Sequence, residues 1–209
     1  GGALDSSRFK CYLSKALNTN PNEIEGVVIG GHGDTTMIPL SRLATYKGVP
    51  VTQLLDKEVL DKVVADTMVG GATLTKMLGT SAWYAPGAAA AYVAEAIIRD
   101  QKKVVPCSVY LEGEYGESNI CIGVPVVLGR TGWEKVIDFK LNDEETALFK
   151  ASAEAVRKTN SAAIAAEVRG FNLRTASSGY KEYPFAAFDV VAIAAAVALV
   201  ACAVALGIV

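Results

Sequence analysis

The residue best suited to moving a proton in this chain is His32, the only histidine among 209 residues. It lies in Gly30-Gly31-His32-Gly33-Asp34, directly after the apolar run Val27-Val28-Ile29. Imidazole changes charge near neutral pH, so it can serve as acid or base at working pH, and the glycines beside it let backbone and ligand come close. A histidine in a turn is equally compatible with a packed or solvated structural role, so other residues must decide. Asp5 precedes Arg8 in Leu4-Asp5-Ser6-Ser7-Arg8-Phe9, a spacing that brings both side chains to one side of a helical turn. The carboxylate could orient an imidazole while the guanidinium grips a substrate carboxylate with two hydrogen bonds. Taken alone, such a pair is also the pattern of an ordinary surface ion pair.

These side chains need elements to hold them. Phe9, Tyr12, Leu13, Ala16 and Leu17 recur on one helical face before the breaker around Pro21, which predicts a helix from Asp5 to Leu17. Glu25 to Ile29 predicts a short strand ending in the glycines, and Met37 to Tyr46 a second extended run, so the histidine falls between two strands. From Thr52 a helical stripe through Leu55, Val59 and Val63 runs to about Met77, with a weak point at Gly70-Gly71. A further helix is expected from Pro86 to Arg99, whose first half, Gly87 to Ala91, is almost free of side chains and suits close packing.

Val104 to Leu111, Ile120 to Leu128 and Trp133 to Phe139 predict an antiparallel meander. Glu112, Glu114 and Glu117 fall in its first turn; without the fixed ligand positions of a calcium loop they are most simply a solvated tip. Asn142-Asp143-Glu144-Glu145 starts a helix expected to reach Lys158, where the soluble domain, residues 1–160, ends.

The balance of 20 basic against 22 acidic residues gives no electrostatic case for nucleic acid as a partner. Cys11, Cys107, Cys121 and Cys202 have no metal or redox spacing and are expected to be free thiols in a reducing compartment. The opening Gly1-Gly2-Ala3-Leu4 has neither an initiating Met nor a secretory run, as though something precedes it. Residues 161–184 are expected to form a linker. Val190 to Val209 contains no charged residue, and its length matches a hydrocarbon core, so a transmembrane helix over 185–209 is predicted. Basic residues precede it and none follows, which places the domain on the cytoplasmic, matrix or stromal side of a membrane, in an organelle. Small residues at Ala194, Ala198 and Cys202, and again at Ala203 and Gly207, predict contact with other transmembrane helices.

Leu4-Asp5-Ser6-Ser7-Arg8-Phe9-Lys10 and Gly30-Gly31-His32-Gly33-Asp34-Thr35-Thr36-Met37-Ile38-Pro39-Leu40 resemble the signature stretches of malate dehydrogenases of the lactate-dehydrogenase-like type. Gly70-Gly71-Ala72, Ser81-Ala82-Trp83-Tyr84-Ala85-Pro86 and Ile122-Gly123-Val124-Pro125-Val126 extend the resemblance, which fades after Lys158 and covers only the C-terminal, substrate-binding half of that family. It implies an α+β domain with an antiparallel sheet and long helices. His32 would be proton donor and acceptor for the 2-oxo or 2-hydroxy group, Asp5 its orienting carboxylate, Arg8 the anchor for the substrate carboxylate, and Ala82 part of the pocket lining. Lactate enzymes usually carry Glu where Gly31 stands, which favours malate and oxaloacetate as substrates.

The departures bear on activity. No G-x-G-x-x-G follows a first strand, so the chain lacks the half that would hold NAD, and no residue is assigned to that cofactor. No metal is implied. Two readings follow: the catalytic half of a malate dehydrogenase, completed by a chain that supplies the NAD domain, or a membrane-anchored, catalytically idle accessory subunit of a larger organellar or energy-transducing complex.

Overall fold

The computed structural model describes residues 1–80 and 82–175, with side chains as far as residue 162. The chain divides into two compact units, Gly1–Asn160 and Ser161–Val209. The first unit is an α+β domain. Helix α1 (Gly2–Ala16) leads into the short strands β1 (Ile24–Glu25), β2 (Val28–Gly30), β3 (Met37–Pro39), β4 (Thr45–Tyr46) and β5 (Val49–Pro50). Helices α2 (Lys57–Leu78) and α3 (Tyr84–Ile98) follow, then the meander β6 (Lys103–Glu112), β7 (Ser118–Gly129) and β8 (Gly132–Val136), and finally helix α4 (Asp143–Thr175). β1, β4 and β5 form a small antiparallel sheet; β3, β2, β7, β6 and β8 form the larger one, and every pairing is antiparallel.

The β2–β3 hairpin is the wall between two cores, because alternate residues of a strand point to opposite faces. Val28 and Met37 face a core shared with Phe9 and Leu13 of α1 and Leu60 and Val63 of α2. Ile29 and Ile38 face the other, made by the meander residues Val105, Ile122, Val124 and Val126 and by Phe149 and Ala153 of α4. Phe9 and Phe149 are buried on opposite sides of the wall, each contributing on the order of 2–3 kcal/mol of apolar burial. A chain with a helix packed on each face of the hairpin can therefore present two helices to whatever the hairpin turn carries.

The turn itself is constrained by close backbone approach. Gly30 ends β2 at φ +90°, and a Cβ there would lie 2.5 Å from the Thr36 carbonyl oxygen. Across the sheet Gly30 pairs with Gly123 of β7, where a Cβ would lie 2.6 Å from the Gly30 carbonyl oxygen. Neither position has room for a side chain, and Gly30 in addition holds a conformation that other residues adopt only with strain.

The start of α4 is fastened by a reciprocal cap. Asn142 Oδ1 accepts from the Glu145 N–H at 2.8 Å, and Glu145 Oε2 accepts from the Asn142 N–H at 2.9 Å. Arg42 then donates from Nε and Nη2 to the two Glu145 oxygens, at 2.9 and 2.7 Å. Burial opposes ionisation of Glu145, but the hydrogen bonds from Arg42 and the Asn142 N–H outweigh it and hold the carboxyl below its ordinary range.

Several expectations are corrected. The extended run from Met37 to Tyr46 is broken by one turn of 3₁₀ helix at Ser41–Leu43, so β3 and β4 fall in different sheets. Glu117 is not solvated: α4 reaches over the meander, and Arg157 Nη1 donates to its carboxylate at 2.7 Å. α4 continues past Lys158 to Thr175, through residues expected to be a linker, because the alanine-rich stretch contains no proline to stop it. The placement of this chain in a membrane is also overturned: among the described residues no helix is long and apolar enough to cross one. α4, long enough by residue count, is studded with charge at Lys150, Glu154, Arg157 and Lys158. The span expected over 185–209, with its small-residue face, lies outside the described residues.

Two outcomes follow from this packing. Gly30→Ala is expected to lower the unfolding free energy by about 1–3 kcal/mol, read from urea denaturation. A carboxyl with a depressed folded pKa contributes stability that is complete above its unfolded pKa and is lost as pH falls through the folded value. The urea midpoint of the native protein should therefore drop more steeply than that of Glu145→Gln as pH is taken below about 4.

Candidate active site

Asp5, Phe9 and Leu13 lie four residues apart on α1, so Asp5 continues the stripe that faces the core. Its side chain is only 2% exposed. A carboxylate in that setting stays charged only with strong partners. It has two. His32 Nδ1 lies 2.7 Å from Asp5 Oδ2, and Arg8 Nη1 donates to Asp5 Oδ1 at 3.3 Å. A charged carboxylate can only accept, so the proton of this bond sits on Nδ1 and the other ring nitrogen, Nε2, is left as the proton acceptor. The His32 side chain is 55% exposed, and the reactive nitrogen belongs to that open ring.

Arg8 is held from two sides. Nη1 also donates to the Thr67 carbonyl of α2 at 3.3 Å. The guanidinium lies along the weak point of that helix: a Cβ at Gly70 would meet Arg8 Cδ at 2.6 Å, and one at Gly71 would meet Nη2 at 3.2 Å. The glycines read from sequence as a flaw in α2 are the bed on which the arginine rests. Only Nη1 is engaged by protein acceptors among the described residues, which leaves the rest of the fork for a ligand carboxylate.

The hairpin turn carrying His32 is closed by its own backbone and by two serines that sequence reasoning did not single out. Ser6 Oγ accepts from the Val28 N–H at 2.9 Å and ties β2 to α1. Ser152 of α4 accepts from the Gly31 N–H at 2.9 Å and donates to the Thr36 carbonyl at 2.6 Å. Thr36 Oγ1 accepts from the Gly33 N–H at 2.9 Å. The available signal was a polar residue inside an apolar helical stripe, since Ser152 stands with Phe149, Ala153 and Val156. The structure thus brings Asp5, Arg8 and His32 together. Ala82 is half-buried in the segment leading into α3 and adds no polar group to the trio.

Among the described residues no group of His, Cys, Asp and Glu could hold a metal ion, and Cys11, Cys107 and Cys121 are free thiols.

Residues 2–167 match the family described as lactate/malate dehydrogenase, alpha/beta C-terminal domain. The chain belongs to this family. It is similar to malate dehydrogenase of Bacteroides fragilis, 72% identical over 162 residues, a stretch that is 78% of this chain and 52% of the relative. The malate dehydrogenase of Flavobacterium frigidimaris is 65% identical over the same shares. Among solved structures, the malate dehydrogenase of Salinibacter ruber superposes with a TM-score of 0.79 at 41% identity, over 81% of this chain and 55% of that one. The lactate dehydrogenase of Eimeria maxima, solved with NADH and oxamate, gives 0.77 at 36% identity, over 80% and 54%. The chain spans about half the length of the curated relatives it matches. What it shares with them is a dehydrogenase domain, which is the second ground for withdrawing the membrane location.

Within this lactate/malate dehydrogenase domain, Asp5→Asn replaces an acceptor with an amide whose NH2 faces either Arg8, donor against donor, or His32, which must then carry its proton on Nε2 for Nδ1 to accept. A loss of about 1–3 kcal/mol in unfolding free energy is expected, measured by urea titration.

Proposed function

We propose that this domain is the substrate half of an NAD-dependent malate dehydrogenase that interconverts malate and oxaloacetate. The observation that carries the proposal is the single Asp5 carboxylate holding both an imidazole and a guanidinium, one on each oxygen. A proton-transfer group and a carboxylate anchor are thereby set at fixed separation, which is what reduction of a 2-oxo acid needs. Relatives named malate dehydrogenase, up to 72% identical, support the choice of malate. So does Gly31: a Cβ there would lie 2.6 Å from Thr36 Oγ1, so the Glu usual in the lactate enzymes has no room.

Arg8 takes the substrate carboxylate in its unengaged nitrogens. Protonated at both nitrogens, His32 gives its Nε2 proton to the 2-oxo oxygen as it becomes a hydroxyl; in the reverse direction neutral His32 takes that proton back. Asp5 stabilises the imidazolium through Nδ1 and keeps the ring from turning. Ala82 is assigned to the pocket lining, as the family resemblance implies, where a small residue would leave space for substrate.

The described residues do not fit a dinucleotide. Every strand pairing is antiparallel, and no strand is followed by a glycine-rich turn into a helix, so no phosphate cradle is built here. We therefore assign the nicotinamide cofactor, which would supply the hydride as NADH and accept it as NAD in the reverse direction, to a separate domain or chain that docks with this one, and malate or oxaloacetate to the trio. Nothing observed favours a membrane-anchored, catalytically idle accessory subunit.

The test supplies the chain with the NAD-binding half of a matched malate dehydrogenase and follows NADH-dependent oxaloacetate reduction. His32→Asn is expected to lower kcat by about 10²–10⁴-fold. Arg8→Lys, which keeps charge but loses the fork, is expected to raise KM for oxaloacetate by about tenfold or more. Equal turnover by His32→Asn and the native chain would sink the assignment.

A further inference from the structure

Ser152 lies far from Asp5, Arg8 and His32 in sequence, yet it touches both ends of the hexapeptide that carries the histidine. Its Oγ accepts from the Gly31 N–H at 2.9 Å and donates its one proton to the Thr36 carbonyl at 2.6 Å. A helical serine ordinarily turns its hydroxyl back to its own helix; here the hydroxyl reaches across to a turn 121 and 116 residues away in sequence. The residue is 4% exposed, so water does not readily replace these bonds. Without the hydroxyl, the Gly31 N–H keeps only a long bond to the Thr36 carbonyl, 3.2 Å. The backbone is fitted around that hydroxyl: a Cβ on Gly30 would lie 2.8 Å from it.

His32 is adjacent to Gly31, so the orientation of that peptide sets where the imidazole leaves the turn. On the other side, Asp5 reaches His32 from α1. The ring is held at its tip by α1 and at its root by α4, two helices packed on opposite faces of the β2–β3 wall. We propose that Ser152 is a positioning residue for His32: its hydroxyl closes the turn and keeps Nδ1 aimed at Asp5, so that Nε2 faces substrate. The proposal rests on His32 being the proton-transfer group, as assigned above, but its test needs neither substrate nor cofactor.

His32 is the chain's only histidine, so its imidazole signals are assigned without ambiguity in heteronuclear NMR of the full chain. The readouts are the ratio of the two ring tautomers and the rate at which the Nδ1 proton exchanges with water, at constant pH. The native protein should show the Nδ1–H form. Ser152→Ala should expose the second tautomer and speed exchange by about tenfold. Ser152→Thr, which restores a hydroxyl, should return both readouts to native values. Val156→Ala removes packing from the same turn without touching a hydrogen bond, since Val156 lies against Gly31; it should leave the imidazole as in the native protein. If Ser152→Ala does not fold, Ser152→Cys, with its weak hydrogen-bonding group, takes its place against Ser152→Thr. The proposal is overturned if the variant without a hydroxyl matches the native imidazole, or if Val156→Ala disturbs it equally. Failure of oxaloacetate turnover with native tautomer behaviour would instead count against the assigned function alone.

Discussion

A carboxylate taken out of water must be matched by donors, and Asp5 is the place where this domain meets that demand. One oxygen receives the imidazole and the other the guanidinium. Because the carboxylate sits on the same helical stripe as Phe9 and Leu13, the apolar packing that buries those side chains also buries the charge. Stability and site are therefore coupled through α1. The core fixes the helix, the helix fixes Asp5, and Asp5 fixes the two groups that would meet a substrate.

The partners of Asp5 arrive from elements of different kinds. Arg8 lies on the same helix and against a side-chain-free patch of α2, so its position depends on two helices crossing closely at Gly70 and Gly71. His32 rides on a hairpin turn, which by itself would be mobile. The turn is tied to both helices by hydrogen bonds, to Ser6 of α1 at β2 and to Ser152 of α4 at its two ends. A proton-transfer group on a strand connection gains exposure, and the flanking helices supply the order that a loop lacks.

The corrections share one physical origin. The residues of Met37–Tyr46 suit extended chain throughout, but sheet membership is a tertiary property, and β3 and β4 belong to different sheets. Glu117 has the local pattern of a solvated tip, and the helix that buries its contact begins 26 residues later in the sequence, at Asp143. Local pattern reports what a segment prefers; it does not report what covers it.

Asp5, Arg8 and His32 were legible from residue type, spacing and motif, because proton transfer and carboxylate binding admit few side chains and the signature stretches are contiguous. The helices α1, α2 and α3 and the meander were legible from periodicity, within a few residues at their ends. Hydrophobic spacing also anticipated that Phe9 and Leu13 would face inward. It could not anticipate that Gly30 and Gly123 would meet backbone to backbone, that Gly70 would be a bed for Arg8, or that Ser152 would close the histidine turn. Those contacts join residues far apart in sequence. Each is a close approach that exists only after the chain has packed, so they were settled by the tertiary structure alone.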